Sequence, residues 1–288
     1  MKLKQGAKVT KGMVFAGCSF TWGQGLYYYS GMDTLQEPPP NHYKRELVNV
    51  AHERYMESVR FPRLVANHFN TFELCQPFNG GASYSIHEWW THSFMDRDNP
   101  AKNKANFTYP IPYYDYSEVS HIFYQFTEWH RAQSKFKPEG HTITHCDAWQ
   151  TPGFDLWLKE QGMTLDEYEA QGRKKEIQDV KDFLMQFAER GIKVYVMSWP
   201  VNMIEDILAD DWLASRFIRF NYQGIKYNSI EEMMNIRVVE HGPYVNPELT
   251  IVRDTDNFDQ CPQDFHPSLT LHRVIADNII EHLEKEQQ

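Results

Sequence analysis

Short apolar runs alternate with longer amphipathic segments along most of the chain. The clearest strand-like runs are Met13–Gly17, Phe72–Cys75, His121–Phe126 and Ile192–Trp199. Mostly apolar strands separated by helix-length segments are typical of a parallel sheet that is covered on both faces. The pattern therefore predicts an α/β protein with a mostly parallel sheet.

Helical spacing of apolar residues accounts for several of the segments between these runs. Tyr43–Phe69 has this spacing but contains Pro62, which predicts two helices in place of one. Ser83 is a residue type that caps helices, and we expect a helix from there through Trp90. The other predicted helices cover Ile177–Arg190 (ending at Gly191), Met203–Phe217, Ser229–Ile236 and Ser268–Lys285.

Three long insertions interrupt the alternation, near residues 27–60, 96–117 and 133–172. We expect residues 1–288 to form one domain that carries them. Loops of this length are usually functional or flexible. Aromatic residues are frequent in and near the insertions, and three interpretations stay open: stacking on sugars, an oligomer interface, or plain packing against the core.

Length and charge exclude several classes of protein. The 288 residues, 41% of them hydrophobic, suffice for one large α/β domain. A formal net charge of -10 argues against sequence-independent binding of nucleic acid, because such binding needs basic patches. No stretch approaches the ~18 consecutive apolar residues of a membrane helix. We therefore expect neither a nucleic-acid nor a membrane partner.

The N-terminal segment resembles a lipoprotein cleavage box, because lysines precede Phe15-Ala16-Gly17-Cys18. The apolar stretch is only about half of the ~7–15 residues that a signal sequence needs. Cleavage there would also remove the strand before Ser19, so we expect a cytoplasmic location. The cysteines lack CxxC spacing, which predicts reduced thiols and neither disulfides nor a zinc site. They are Cys18, Cys75, Cys146 and Cys261.

The most informative segment is Gly17–Leu26, which reads GCSFTWGQGL and directly follows the first predicted strand. Ser19 stands where that strand gives way to a glycine-rich loop, and ligands of open α/β sheets bind at such strand ends. The segment resembles the first motif block of the SGNH (GDSL-type) hydrolases, with Cys18 in place of the family's aspartate. The resemblance implies a three-layer α/β/α, flavodoxin-like fold and a nucleophilic Ser19 that works without a cofactor.

A second resemblance lies just before the last predicted helix, at Asp264-Phe265-His266-Pro267. It is similar to the Asp-x-His-Pro form of the family's final block. The resemblance implies that His266 is the general base for Ser19 and that Asp264 orients His266. Asp259 is an alternative acid. A non-catalytic interpretation makes Asp264 a turn cap and His266 a surface residue.

Ester cleavage also needs donors for the developing oxyanion. Asn79–Ser83 resembles the family's second block, which implies that the Gly81 N–H is one donor beside the N–H of Ser19. The asparagine of the family's third block has no counterpart after His121–Phe126. Gln125 and Thr127 are the side chains able to replace it as donors. A simpler role for the glycines is a turn that requires positive φ.

The leading hypothesis is a serine esterase that acts on a small ester, with an O-acetylated carbohydrate among the candidate substrates. A binding or structural protein that retains the scaffold is the main alternative, motivated by the missing asparagine. A metal-dependent hydrolase is the third class. His141-x-x-x-His145 with Cys146 would suit a metal only on a helix, and Thr142–Thr144 favours extended structure.

Overall fold

A four-stranded parallel sheet forms the centre of the protein, in the order β2-β1-β3-β4. The computed structural model describes residues 11–23, 26, 50–76, 83–94, 112–234 and 266–288. This α/β architecture confirms the class that the alternating pattern predicts. The strands of the sheet are β1 (Gly12–Ala16), β2 (Glu73–Cys75), β3 (Val119–Phe126) and β4 (Lys193–Ser198), and a hairpin adds β5 (Phe220–Tyr222) and β6 (Ile225–Tyr227).

The helices follow the strands in alternation, as expected. Pro62 lies in the first turn of a helix, and the Tyr43–Phe69 segment contains two helices. The helices are α1 (Ser19–Trp22), α2 (Val50–Val59), α3 (Phe61–His68), α4 (Ser83–Ser93), α5 (His145–Gln150), α6 (Phe154–Glu160), α7 (Leu165–Ala188), α8 (Ile204–Ala209), α9 (Asp211–Ala214), α10 (Ile230–Met233) and α11 (Leu269–Lys285).

The order of the strands places a crevice at the carboxyl end of β1. Phe15 pairs with Cys75 of β2 on one side and with Phe123 of β3 on the other. The first crossover therefore places β2 next to β1 on one side. The second crossover leads from β2 past β1 and places β3 on the other side of β1. A reversal of this kind opens a ligand-binding crevice beyond the strand ends.

Helices cover both faces of the sheet, because side chains of each strand alternate between two apolar clusters. Val14 and Tyr124 face a cluster that includes residues of α4, α7 and α8. Phe15 and Phe123 face the other cluster, which includes residues of α3 and α11. The rings of Phe15 and Phe123 stack with centroids 4.9 Å apart, which ties β1 to β3 at the base of the crevice.

A short stretch after α9 extends the sheet beyond β4. The predicted helical stretch Met203–Phe217 contains two short helices, α8 and α9; α9 ends at Ala214, and the chain then turns into extended backbone. The Val196 N–H donates to the Arg216 carbonyl, and the Ile218 N–H donates to the Val196 carbonyl, at 2.9 and 2.8 Å. Phe217 thereby pairs parallel to β4, in the place of a fifth strand.

The insertion at 133–172 is mostly helical and has an apolar centre of its own. Phe136, Phe154 and Tyr168 are among the buried residues of this centre. A capping box of Thr164 and Glu167 starts α7 there, twelve residues before the predicted start at Ile177. The capping pattern was readable in the sequence, whereas the exposed, charged first half of α7 has little amphipathic signal.

Parts of the other two insertions, near 27–60 and 96–117, lie outside the described residues. Within the described part of the chain, no helix is long and apolar enough to cross a membrane. Residues 133–172 form a packed helical segment.

Candidate active site

Ser19 begins a single helical turn at the carboxyl end of β1. The Thr21 and Trp22 N–H groups both donate to the Cys18 carbonyl at 3.1 Å, which starts α1 at once in place of the expected loop. Gly23 ends the turn with φ +92, a left-handed conformation that glycine adopts without a steric penalty. Ser19 is therefore held between a buried strand and a tight turn, and only 4% of its surface is exposed.

His266 lies beside Ser19, although 247 positions separate them in the chain. The His266 Nε2 and Ser19 Oγ atoms are 2.7 Å apart, a normal hydrogen-bond length. With its ring proton on Nδ1, His266 accepts a hydrogen bond at Nε2 from the Ser19 hydroxyl. Ser268 caps α11 through the Leu271 N–H, so His266 projects from the segment that leads directly into a long, well-anchored helix.

The Phe20 ring forms one wall of the site. It lies 4.9 Å from the His266 ring in a tilted arrangement and stacks on Trp199, with centroids 4.4 Å apart. Phe20 is buried, whereas Trp199 is partly exposed at the end of β4. These contacts bring the segment after β4 next to the serine–histidine pair.

A buried polar network supports the turn from below. The Thr21 hydroxyl donates to the Gln125 side-chain carbonyl. The Gln125 amide donates to the Cys18 sulfur at 3.3 Å, and Gln125 is fully buried. Cys18 is a buried residue of the apolar cluster that includes Phe15 and Phe123. Gln125 therefore links β3 to the turn.

Gly17 fits this network because it has no side chain. A Cβ atom there would overlap the Thr21 hydroxyl and come within 2.9 Å of Gln125 Cβ. We expect Gly17→Ala to shift the turn, lowering the free energy of unfolding by about 1–3 kcal/mol. The esterase activity that the motif resemblance implies should fall by about 10- to 100-fold, because small displacements of a nucleophilic serine slow acyl transfer. Denaturant titration and steady-state kinetics measure both effects; wild-type values for both would contradict this assignment.

Two further side chains that the sequence analysis did not identify hold the turn from the β2 side. The Gln76 amide donates to the Gly17 carbonyl. Arg60 donates to the Trp22 carbonyl at 3.2 Å and to the Glu73 carboxylate at 3.1 Å. Neither residue lies in a sequence motif that would indicate such a long-range contact. The sequence therefore contains no signal for Gln76 or Arg60.

The predicted site residues have different outcomes in the structure. Ser19 and His266 are brought together. Gln125 points into the supporting network, and Thr127 is fully buried, with a hydroxyl that has no hydrogen-bond partner within the part of the chain that is described. Gly81 and Asp264, and with them the alternative acid Asp259, lie outside the described residues.

The histidines considered for a metal site have other surroundings. His145 begins α5, whereas His141 lies before that helix. The His145 Nδ1 and Tyr168 hydroxyl are 2.6 Å apart, and burial lowers the pKa of His145 to about 4. In the described ranges, no group of three or more His, Cys, Asp or Glu side chains is arranged to hold a metal ion.

Comparison with known proteins assigns the chain to no family. No family model, no curated protein and no solved structure matches it. The function is therefore inferred from the geometry of the site and from the motif resemblance.

Proposed function

We propose that this protein is a serine esterase of the SGNH type, in which Ser19 is the nucleophile and His266 the general base. The observation that carries the proposal is the 2.7 Å contact between Ser19 Oγ and His266 Nε2. A nucleophile and a base within hydrogen-bond reach are the minimum that acyl transfer by serine needs.

The fold supports this proposal. The strand order β2-β1-β3-β4, with residue 217 pairing beyond β4, follows the flavodoxin-like order that the resemblance implies. Ser19 follows the strand at the reversal point, where ligands of such sheets bind. His266 precedes the last helix, the position that the family's final block gives to its histidine.

The proposed reaction proceeds in two acyl-transfer steps. The Ser19 oxygen attacks the ester carbonyl carbon while its proton passes to His266 Nε2. The tetrahedral intermediate then collapses, and His266 returns the proton to the departing alcohol. Water attacks the acyl-enzyme in the second step with His266 again as base, which releases the carboxylic acid and restores Ser19. This chemistry uses no cofactor.

Asp264 and Gly81 complete the proposal as the resemblance assigns them. Asp264 would accept a hydrogen bond from His266 Nδ1, and the N–H groups of Ser19 and Gly81 would stabilise the oxyanion. Small esters, including O-acetylated carbohydrates, are the proposed substrates. Because the Gln125 side chain bonds to Thr21 and Cys18, Thr127, the residue after β3, is the better candidate of the two for a contact with substrate.

Hydrolysis of p-nitrophenyl acetate tests the proposal. We expect turnover above the buffer rate. A chelator should leave this turnover unchanged, since the reaction needs only protein groups. Loss of activity with chelator, restored by added metal ion, would favour the metal-dependent hydrolase. No turnover would favour a scaffold that binds without catalysis.

A further inference from the structure

Two buried donors near Ser19 have no hydrogen-bond partner among the residues described. They are the Thr127 hydroxyl and the indole N–H of Trp199. A buried polar group without a partner costs stability, so native proteins rarely keep one without a reason. Two such groups at the carboxyl edge of one sheet call for a common explanation.

Thr127 and Trp199 are neighbours on the same face of the sheet. Phe126, the last residue of β3, pairs in parallel with Ser198, the last residue of β4. The residues that follow the two strands are therefore Thr127 and Trp199, and the backbone N–H of Trp199 donates to the Phe126 carbonyl at 3.3 Å. Trp199 packs on the cluster beneath α11, the face that the strand alternation gives to Thr127 as well.

This face is also the face of His266. The Phe20 ring touches both the His266 ring and the Trp199 indole. In serine-mediated acyl transfer, the histidine passes its proton to the departing alcohol, so the alcohol must lie on the histidine's side of the nucleophile. Donors on that side face the alcohol portion of an ester more directly than its carbonyl oxygen.

We propose that Thr127 and Trp199 form a two-donor subsite that binds a hydroxyl oxygen of the substrate's alcohol portion. The inference rests on the proposed esterase function and deepens it: the substrate class becomes esters of polyhydroxyl alcohols. Trp199 supplies an N–H donor, and the Thr127 hydroxyl supplies a second donor that is also able to accept. Thr127 is fully buried and Ser19 is 4% exposed, so substrate entry must uncover both.

A matched pair of esters isolates the contribution of the subsite. Propyl acetate and glycerol monoacetate have the same acyl group and similar length, but only the second has free hydroxyl groups on its alcohol. Wild-type enzyme should prefer glycerol monoacetate, because a site built to bond a hydroxyl leaves its donors unpaired with the analogue that lacks it.

Two nearly isosteric variants remove the donors separately. Thr127→Val replaces the hydroxyl with a methyl group, and Trp199→Phe keeps a ring to stack on Phe20 but removes the N–H. Each should lower kcat/KM for glycerol monoacetate by about 10-fold. The loss for propyl acetate should be smaller, so the ratio of the two kcat/KM values should fall.

The midpoint temperature of unfolding provides a second readout. Thr127→Val should raise it by a few degrees, since the variant removes an unpaired buried hydroxyl. A lower midpoint would show that the hydroxyl is paired inside the protein and would overturn the inference.

The kinetic outcomes separate the inference from the proposed function. Equal losses on both esters would place the donors at the carbonyl oxygen and overturn the assignment to the alcohol. Unchanged selectivity in both variants would overturn it too. If wild-type enzyme cleaves neither ester nor p-nitrophenyl acetate, the esterase proposal fails and the subsite falls with it.

Discussion

Replacing Ser19 with alanine is expected to lower kcat for ester hydrolysis by about 10⁴- to 10⁶-fold. We expect the variant to keep the fold, because alanine is smaller than the buried serine and the hydrogen bond that is lost is the one to His266. Only the oxyanion donors and substrate binding would remain to accelerate the reaction. Steady-state kinetics with p-nitrophenyl acetate measure the loss.

The control for this prediction is Ser215→Ala, an exposed serine whose hydroxyl donates to the Trp212 carbonyl. It should retain wild-type kinetics. The double variant Ser19→Ala, His266→Gln should lose about as much activity as either single variant, because members of one catalytic unit are not additive. Additive losses, or activity that survives Ser19→Ala, would refute the paired mechanism.

Acidification is expected to destabilise the protein strongly through the buried His272 and the partly buried His87. Burial is the main cause that lowers the pKa of His87 and of His272 to about 3. The His87 Nε2 lies 3.0 Å from the Tyr124 hydroxyl, and the neutral His272 Nδ1 accepts a hydrogen bond from the Phe61 N–H. Both rings are therefore built into the core in their uncharged form.

The direction of the pH dependence follows from the lowered pKa values of the two histidines. In the unfolded chain a histidine titrates near pH ~6.5, so below that pH the unfolded state binds more protons than the folded state. Stability is fully present above pH 6.5 and falls as the pH drops toward 3. At pH 4.5 each histidine should cost about 3 kcal/mol in the free energy of unfolding.

Urea titrations at pH 7 and pH 4.5 test this prediction. His272→Gln offers a carbonyl oxygen to the Phe61 N–H but cannot be protonated, so its stability should depend less on pH than that of the wild type. His141→Gln is the matched control, because His141 is exposed. A pH dependence that His272→Gln leaves unchanged would show that His272 is not the group responsible.

The sequence predicted most of the sheet because its strands carry continuous apolar runs with clear ends. It also identified Ser19 and His266, because each lies in a short motif at a predictable boundary: one follows β1 and the other precedes α11. The pairing of the two was a prediction from family resemblance, and the structure supplies its geometry.

The support around the pair was not readable from the sequence. Gln125 was one of two side chains considered as an oxyanion donor, and in the structure it contacts Thr21 and Cys18. The choice depends on three-dimensional packing around Gly17, where the absence of a Cβ leaves room for Thr21 and Gln125. Arg60 and Gln76 reach the turn from distant positions, a long-range effect that local patterns do not encode.

Covalent labelling tests the central claim most directly. A fluorophosphonate reacts with a serine only where a neighbouring base activates it, and mass spectrometry locates the adduct. The account predicts one adduct at Ser19 in the wild type, within the tryptic peptide Gly12–Lys44, and almost none in His266→Gln. Labelling at another residue, or equal labelling of Ser19 without His266, would contradict it.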